Sequence, residues 1–283
     1  MSYLLLDTNA VYDLVRRSDV AIGIVKLAKS RNFRITVAPM VLVECVTKFY
    51  EDNEIGNNII KPAFKKLKNL DAVVLADQDV LLESLSYGDV DLNNYEENWD
   101  KILNHLHESN REGENFVYTV KQGKRVIYGK FIRDSRQQWE ERYKKDWLWM
   151  LEQQGVLNAD SLPPTVYAAQ TKAINKSFLQ QSQWDDIFFK TMQERTGMDL
   201  TKKKNDVLEL KKYESQEYNT IWNKVINDGY KPFSKSKKND YNDMSVMLYA
   251  GLKDVYVFSG DMNMVKKTNA HADGKLFVRD DVL

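Results

Sequence analysis

Apolar residues fall into two patterns along this 283-residue chain: short unbroken runs near its two ends, and helical spacing over most of the rest. The first run, Tyr3, Leu4, Leu5 and Leu6, reads as a strand. Asp7, Thr8 and Asn9 stop it and offer caps for a helix whose apolar positions are Val11, Leu14 and Val15. A second helix is predicted over 20–30 and a strand over 33–37. Pro39 then stands at the start of a helix, where proline is favoured, and Val41, Leu42, Cys45, Val46 and Phe49 give that helix an apolar face. An amphipathic helix over 57–70 leads to a third strand at 72–75. The same grammar returns at the C-terminal end, with a helix over 243–252, a β-prone run at 255–258, a short helix over 262–269 and a last strand at 276–278. Apart from the run at 33–37, which carries Arg34 and Thr36, these strands are apolar throughout, not only at every second position. Alternating with helices, they predict an α/β fold built on a parallel sheet covered on both faces.

The stretch between has its own pattern. Acidic and aromatic residues (Asp89, Asp91, Tyr95, Glu96, Glu97, Trp99, Asp100) open it and lead into a helix reaching His107. Residues 116–120 and 125–128 are β-prone and flank Lys121, Gln122, Gly123 and Lys124, which predicts a hairpin with a basic tip. Helices are expected over 135–154, 165–180, 183–195 and 205–227, with Gly155, Gly197 and Gly229 closing the first, third and fourth. Trp139, Trp147, Trp149 and Met150 are expected to build the core of this part. The chain thus divides into a discontinuous α/β domain, residues 1–83 and 239–283, and a mainly α-helical inserted domain, residues 84–238, which contains the β-hairpin and is suited to binding a substrate or partner.

Composition narrows the chemistry mainly by exclusion. Lysine and arginine number 41, as do aspartate and glutamate, so any attraction to a polyanion has to be local. Cys45 has no second cysteine to pair with and no nearby histidine to activate it, and reads as a packed core residue. His105, His107 and His271 lack the spacing of a histidine metal site. No apolar run is long enough to span a bilayer, and the N-terminus lacks the features of a secretory signal. A soluble protein of a reducing, cytoplasmic compartment is expected.

Acidic residues carry the positive signal. Asp7 follows the first strand, Glu44 lies in the first turns of the helix after the second, Asp243 in the first turn of its helix, and Asp261 after a two-residue turn beyond the strand at 255–258. In a parallel sheet the functional crevice lies outside the carboxyl ends of the strands, so the four converge on one edge. Carboxylates gathered without histidine or cysteine are ligands for a hard divalent cation. Asp240 could face the same metal or cap the helix of Asp243. Acids in a first helical turn also favour the helix dipole without any metal, and Glu44 alone could be a surface acid. Asn9 suits the cap of the first helix as well as a substrate contact, and Thr8 or Ser259 could orient a carboxylate.

Taken together, Leu6-Asp7-Thr8-Asn9, Glu44, Asp243 leading the apolar run Met244 to Ala250, and Ser259-Gly260-Asp261 resemble the four motifs of the PIN-domain nucleases, in the order that family has them. The resemblance covers about the first eighty and last forty-five residues. It implies a three-layer α/β/α domain and a metal-dependent endoribonuclease in which Asp7, Glu44, Asp243 and Asp261 hold one or two Mg2+ or Mn2+ ions, with Asp240 as a further ligand candidate. Water activated there would attack a phosphodiester in line. RNA is the substrate it implies, with DNA as the alternative if the insertion arches over the acids as in flap endonucleases; a toxin of a toxin-antitoxin pair, a defence nuclease and an RNA-processing enzyme all fit. A homodimer and an inhibitory protein partner are consistent with the family. A PIN-like fold serving only as a binding module is the non-enzymatic alternative. For phosphate contacts the candidates are Lys235, Lys237 and Lys238, which lead into the helix of Asp243, and Lys124 and Arg125 at the hairpin. Tyr118, Tyr128 and Phe131 could stack on bases.

Overall fold

The structure, a computed structural model, describes residues 1–76, 81, 95–96, 99–108, 115–120, 123–174, 189, 200–234 and 239–283. The first strand, β1 (Ser2–Leu6), lies at the centre of a parallel sheet. On one side of it come β2 (Phe33–Val37) and β3 (Val73–Val74). On the other come β7 (Val255–Ser259) and β8 (Leu276–Val278), giving the order β3-β2-β1-β7-β8. Leu4, Leu5 and Leu6 are all fully buried. Neighbouring strand residues point to opposite faces, so burial of three in succession means that both faces of the central strand are covered. The α/β class expected from the continuous apolar runs is present.

Helices α1 (Thr8–Arg16), α2 (Ser18–Ser30) and α3 (Pro39–Glu51) follow the first two strands, with Pro39 at the helix start as the sequence requires. The helix expected over 57–70 is not uniform. A short turn at Asn53–Ile55 runs into a π-helical turn, Gly56–Ile60, and only then into α4 (Lys61–Asn69). Pro62 gives the reason. It has no N–H to donate four residues back and its ring crowds that carbonyl, so the chain takes a wider turn, in which the Lys61 N–H bonds Gly56 O.

Within residues 84–238 the described elements are β4 (Tyr95–Glu96), α5 (Trp99–Glu108), β5 (Asn115–Val120), β6 (Gly123–Tyr128), α6 (Gly129–Gln153), α7 (Pro164–Lys172) and α8 (Lys204–Asp228). The predicted hairpin is present as the antiparallel pair β5 and β6, joined on its other side by β4. Gly229 ends α8 in the left-handed conformation at φ 64°, its N–H on Val225 O, as a C-terminal glycine does. Helix α7 is shorter than the 165–180 expected, and the helix placed at 183–195 lies outside the described residues except for Phe189. Helices α9 (Asn239–Ala250) and α10 (Met264–Lys267) complete the fold.

Two apolar cores hold these elements. The larger surrounds β1 and takes in Trp99, Ile102, Leu103 and Leu106 of α5 and Val207, Leu210 and Tyr213 of α8. The smaller is built from Trp147, Met150, Leu151, Tyr167, Trp222 and Val225, and includes Met244 of α9. Packing therefore crosses the sequence boundaries at 84 and 238 in both directions. Trp147 and Met150 are core residues as expected, whereas Trp149 is 48% exposed, because it projects from the opposite side of α6. Cys45 is fully buried, and burial pushes its thiol well above the ordinary range, with the neighbouring Glu44 charge adding to the effect. It is inert packing, as the sequence suggested.

Candidate functional site

Asp7 ends the central strand at the point where chain order in the sheet reverses, between β1 and β7. The register that pairs Leu6 with Phe258 sets Asp7 beside Ser259, and the Asp7 N–H bonds Phe258 O at 3.1 Å. Both carboxylate oxygens of Asp7 are engaged. Oδ1 accepts from the Ala10 N–H at 2.6 Å and the Gly260 N–H at 3.1 Å, and Oδ2 accepts from Ser259 Oγ. The N-cap of α1 is therefore Asp7, while Asn9, proposed above for that task, is exposed on the first turn. Asn9 is two residues too far along, since a cap must precede the helix whose N–H groups it satisfies.

Burial dominates the protonation of Asp7. Desolvation, with a smaller push from the Asp243 charge, raises its pKa to about 7 against the pull of its three hydrogen bonds. Gly260 makes this arrangement possible: a Cβ there would stand 2.7 Å from Asn9 Cβ and 2.8 Å from its carbonyl carbon, so only glycine lets the β7 loop reach the head of α1.

Ser259 links two of the acids, because its Oγ donates to Asp7 and accepts from the Asp261 N–H at 2.9 Å. The Asp261 carboxylate accepts from the Asn263 N–H at 2.8 Å. Glu44 receives Thr8 Oγ1 at 2.5 Å, so Thr8 does orient a carboxylate. Asp243 lies in the second turn of α9, whose first residue is Asn239. Asp240 consequently sits inside the first turn and not at the cap, and its carboxylate takes the hydroxyl of Tyr230.

Three residues of the site escaped the sequence reading. Lys267 of α10 bonds Asp243 and, at 3.0 Å, Glu217 Oε1 of α8. Burial alone would lower the Lys267 pKa, but Asp243 and Glu217 outweigh it and hold the amine above its ordinary value. Burial raises both acids, and Lys267 opposes that rise. Glu217 had a legible signal. It stands in the buried stripe Val207, Leu210, Tyr213, Glu217, Ile221 at helical spacing, where an apolar residue belongs. Nearby, Arg279 clamps the buried Asp13 of α1 through two bonds of 2.6 and 3.0 Å, which ties the C-terminal turn to the helix that Asp7 caps.

The donor chemistry fits a hard cation: the side chains at this edge are oxygen donors, and Glu217 Oε2 is buried with no hydrogen-bond partner among the described residues. The spacing is another matter. Among the described residues no three acidic, histidine or cysteine side chains stand close enough to hold an ion as one group, and Lys267 supplies the positive charge at Asp243. Of the basic residues proposed for phosphate, Lys235, Lys237 and Lys238 lie outside the described residues, as do the side chains of Lys124 and Arg125. No helix of the described residues is long and apolar enough to cross a membrane. Comparison of the chain with protein-family models, with curated proteins and with solved structures finds no match.

Proposed function

We propose that this chain is a metal-dependent endoribonuclease with a PIN-like three-layer catalytic domain. The observation that carries the reading is Asp7 itself, buried at the switch point of a parallel sheet and acted on by the charge of Asp243, on which Asp261 acts in turn; drawing these acids around one ion is part of the proposal. A structural carboxylate gains nothing from such neighbours, since like charges in a buried crevice oppose ionisation unless a cation offsets them.

Each acid has a defined task in that reading. Asp7, Glu44, Asp243 and Asp261 would hold the ion, and Asp240, engaged by Tyr230, stands behind them. Ser259 and the Gly260 N–H fix the rotamer of Asp7, and Thr8 fixes that of Glu44, so that the oxygens are set before substrate arrives. A bound Mg2+ or Mn2+ would supply an activated water and offset charge on the leaving oxygen. RNA is the preferred substrate, with single-stranded DNA as the contrasting one.

One observation favours a second reading, a catalytically inactive PIN-like binding module: Lys267 already compensates Asp243 without a metal. Incubation of the purified chain with labelled single-stranded RNA and DNA, in Mn2+, Mg2+ or chelator, separates the two. Cutting of RNA only with metal, and none by Asp7→Asn, is the expected result. No cutting in any condition together with no metal binding would leave the binding module.

A further inference from the structure

Arg279 opens the short turn that follows β8, and the sheet register puts it on the same edge as the acids. Val278 pairs with Ser259 of β7, and Asp7 follows the residue of β1 that pairs with Phe258, so Asp7, Gly260 and Arg279 stand beyond the carboxyl ends of three adjacent strands. The guanidinium is held along one side. Its Nε and Nη2 donate to the two carboxylate oxygens of Asp13, a side chain only 4% exposed, while that of Arg279 is 27% exposed. This grip leaves the outer edge of the guanidinium unused, and Nη1 has no partner among the described residues. The turn is anchored without the pair. Asp281 accepts from the Val278 N–H at 2.7 Å and lies 3.2 Å from His271 Nε2, and Val282 packs so closely on α2 that a Cβ on Gly23 would stand 2.4 Å from its carbonyl oxygen. A largely buried ion pair is in any case a poor source of stability, because desolvating its charges offsets most of their attraction. The charges of Asp7 and Asp261 also reach the guanidinium, behind the larger effect of Asp13 in holding its proton.

We propose that Arg279 is a phosphate-binding residue of this edge, its outer N–H groups taking the oxygens of a phosphodiester of single-stranded RNA beside Asp7 and Asp261, with Asp13 as the brace that fixes the guanidinium. The inference rests on the nuclease reading but needs no metal ion at these acids. A polyanion approaching a row of carboxylates is repelled unless a fixed cation stands among them, and a chain with 41 basic and 41 acidic residues has no net charge to draw it in. Lys267 is already spent on Asp243 and Glu217. Arg279 is not, since a planar guanidinium gripped along one edge keeps a second edge whose paired donors match two phosphate oxygens. Asp13 also fixes the side chain before substrate arrives, so little rotamer freedom is lost on binding.

Fluorescence anisotropy of labelled oligouridylate with the full chain, in chelator and over a series of salt concentrations, tests this on wild type and on Asp13→Asn/Arg279→Gln. The double variant is used because Arg279→Gln alone would strand the buried charge of Asp13. It should bind about tenfold more weakly than wild type, as expected for loss of a hydrogen-bonded charge contact. The slope of log affinity against log salt should become shallower by about 0.7, the share of one phosphate contact on a single strand, which loss of a structural tie would not change. In Mn2+ the KM for RNA cleavage should rise by the same factor. Affinity, slope and KM all equal to wild type, in a double variant that melts as cooperatively, would overturn the proposal, and the nuclease reading would stand wherever wild type cuts RNA. Should the double variant fail to fold, chemical labelling of wild type decides: oligouridylate should slow the modification of Arg279 by phenylglyoxal, read by mass spectrometry, and an unchanged rate would overturn the proposal. Wild type that neither binds nor cuts RNA would remove the nuclease reading and this inference with it.

Discussion

Asp7 shows how one residue answers to two demands. It caps α1 and it is the buried acid at the end of the central strand, and burial holds its pKa near 7 where an unburied aspartate has 3.8. The folded chain therefore binds this proton more tightly than the unfolded chain does. The stabilising contribution of the protonated form is complete below about pH 4 and is lost as pH rises through 7, at a cost by pH 8 of about 4 kcal/mol, from 1.36 kcal/mol per pKa unit. Asp7→Asn keeps an oxygen for the Ala10 and Gly260 N–H groups but has no charge to bury. In chelator it should melt above wild type at pH 8 and lose the fall in stability between pH 4 and 7, while cleavage disappears. A melting curve for the variant that tracks wild type across this range would show that Asp7 is not the titrating group. Such a gain in stability with loss of activity is what a charge kept for chemistry predicts. The position of Asp7 was legible from its place after an apolar run, but which of Asp7, Thr8 and Asn9 caps the helix was not, because Asn9 has the same preference two residues on.

At the scale of elements, the close approach of α8 to the end of α9 sets the geometry of the Lys267 group. A Cβ on Gly251, just past α9, would lie 2.0 Å from Leu210 O and 2.6 Å from Glu209 O, both backbone atoms that cannot rotate away. Gly251→Ala must push α8 outward, and Glu217 moves with it. We expect a loss on the order of 1–3 kcal/mol in urea denaturation, typical of forcing added volume into a packed contact. Unchanged stability would mean that α8 is not held there. Sequence spacing located α8 almost to the residue, since its apolar stripe and Gly229 are local signals. It misjudged the helix at 57–70, where a single proline converts the first turns to a π-turn, and it carried α7 past Lys172, where the structure ends it, because Ala173 and Ile174 continue a helical pattern and tertiary packing leaves no local sign of where to stop.

For the whole molecule, the change in pattern at residue 84 and again at 238 marks where alternation of strand and helix ceases, and yet burial does not respect it. Four apolar residues of α5 and three of α8 complete the core around β1, and Trp99 Nε1 bonds Ala72 O at 2.7 Å. A chain joining residues 1–83 to 239–283 through a short linker would expose those contacts. It should unfold without a sharp transition by circular dichroism and bind a hydrophobic dye; a cooperative melt like that of the full chain would show that the α/β part stands alone. The stretch 84–238 thus does more than carry the hairpin, since its helix α8 brings Glu217 to Lys267 and so beside Asp243.

Local pattern was enough for the strands of the parallel sheet, its α/β class and the helices with strong apolar faces, and it put Asp7 and Asp261 just beyond strand ends, though it set Asp243 one turn early in its helix, because each of these depends on a few neighbouring residues: an apolar run, a helical period, a turn. What surrounds those acids follows from the folded arrangement instead. Lys267 meets Asp243 across 24 residues and Glu217 across 50, Ser259 meets Asp7 across 252, and Arg279 meets Asp13 across 266. Charges that far apart in the chain leave no periodicity to read. Their pairing is set by which elements share a core, and burial then turns an ordinary aspartate into one that titrates near neutrality.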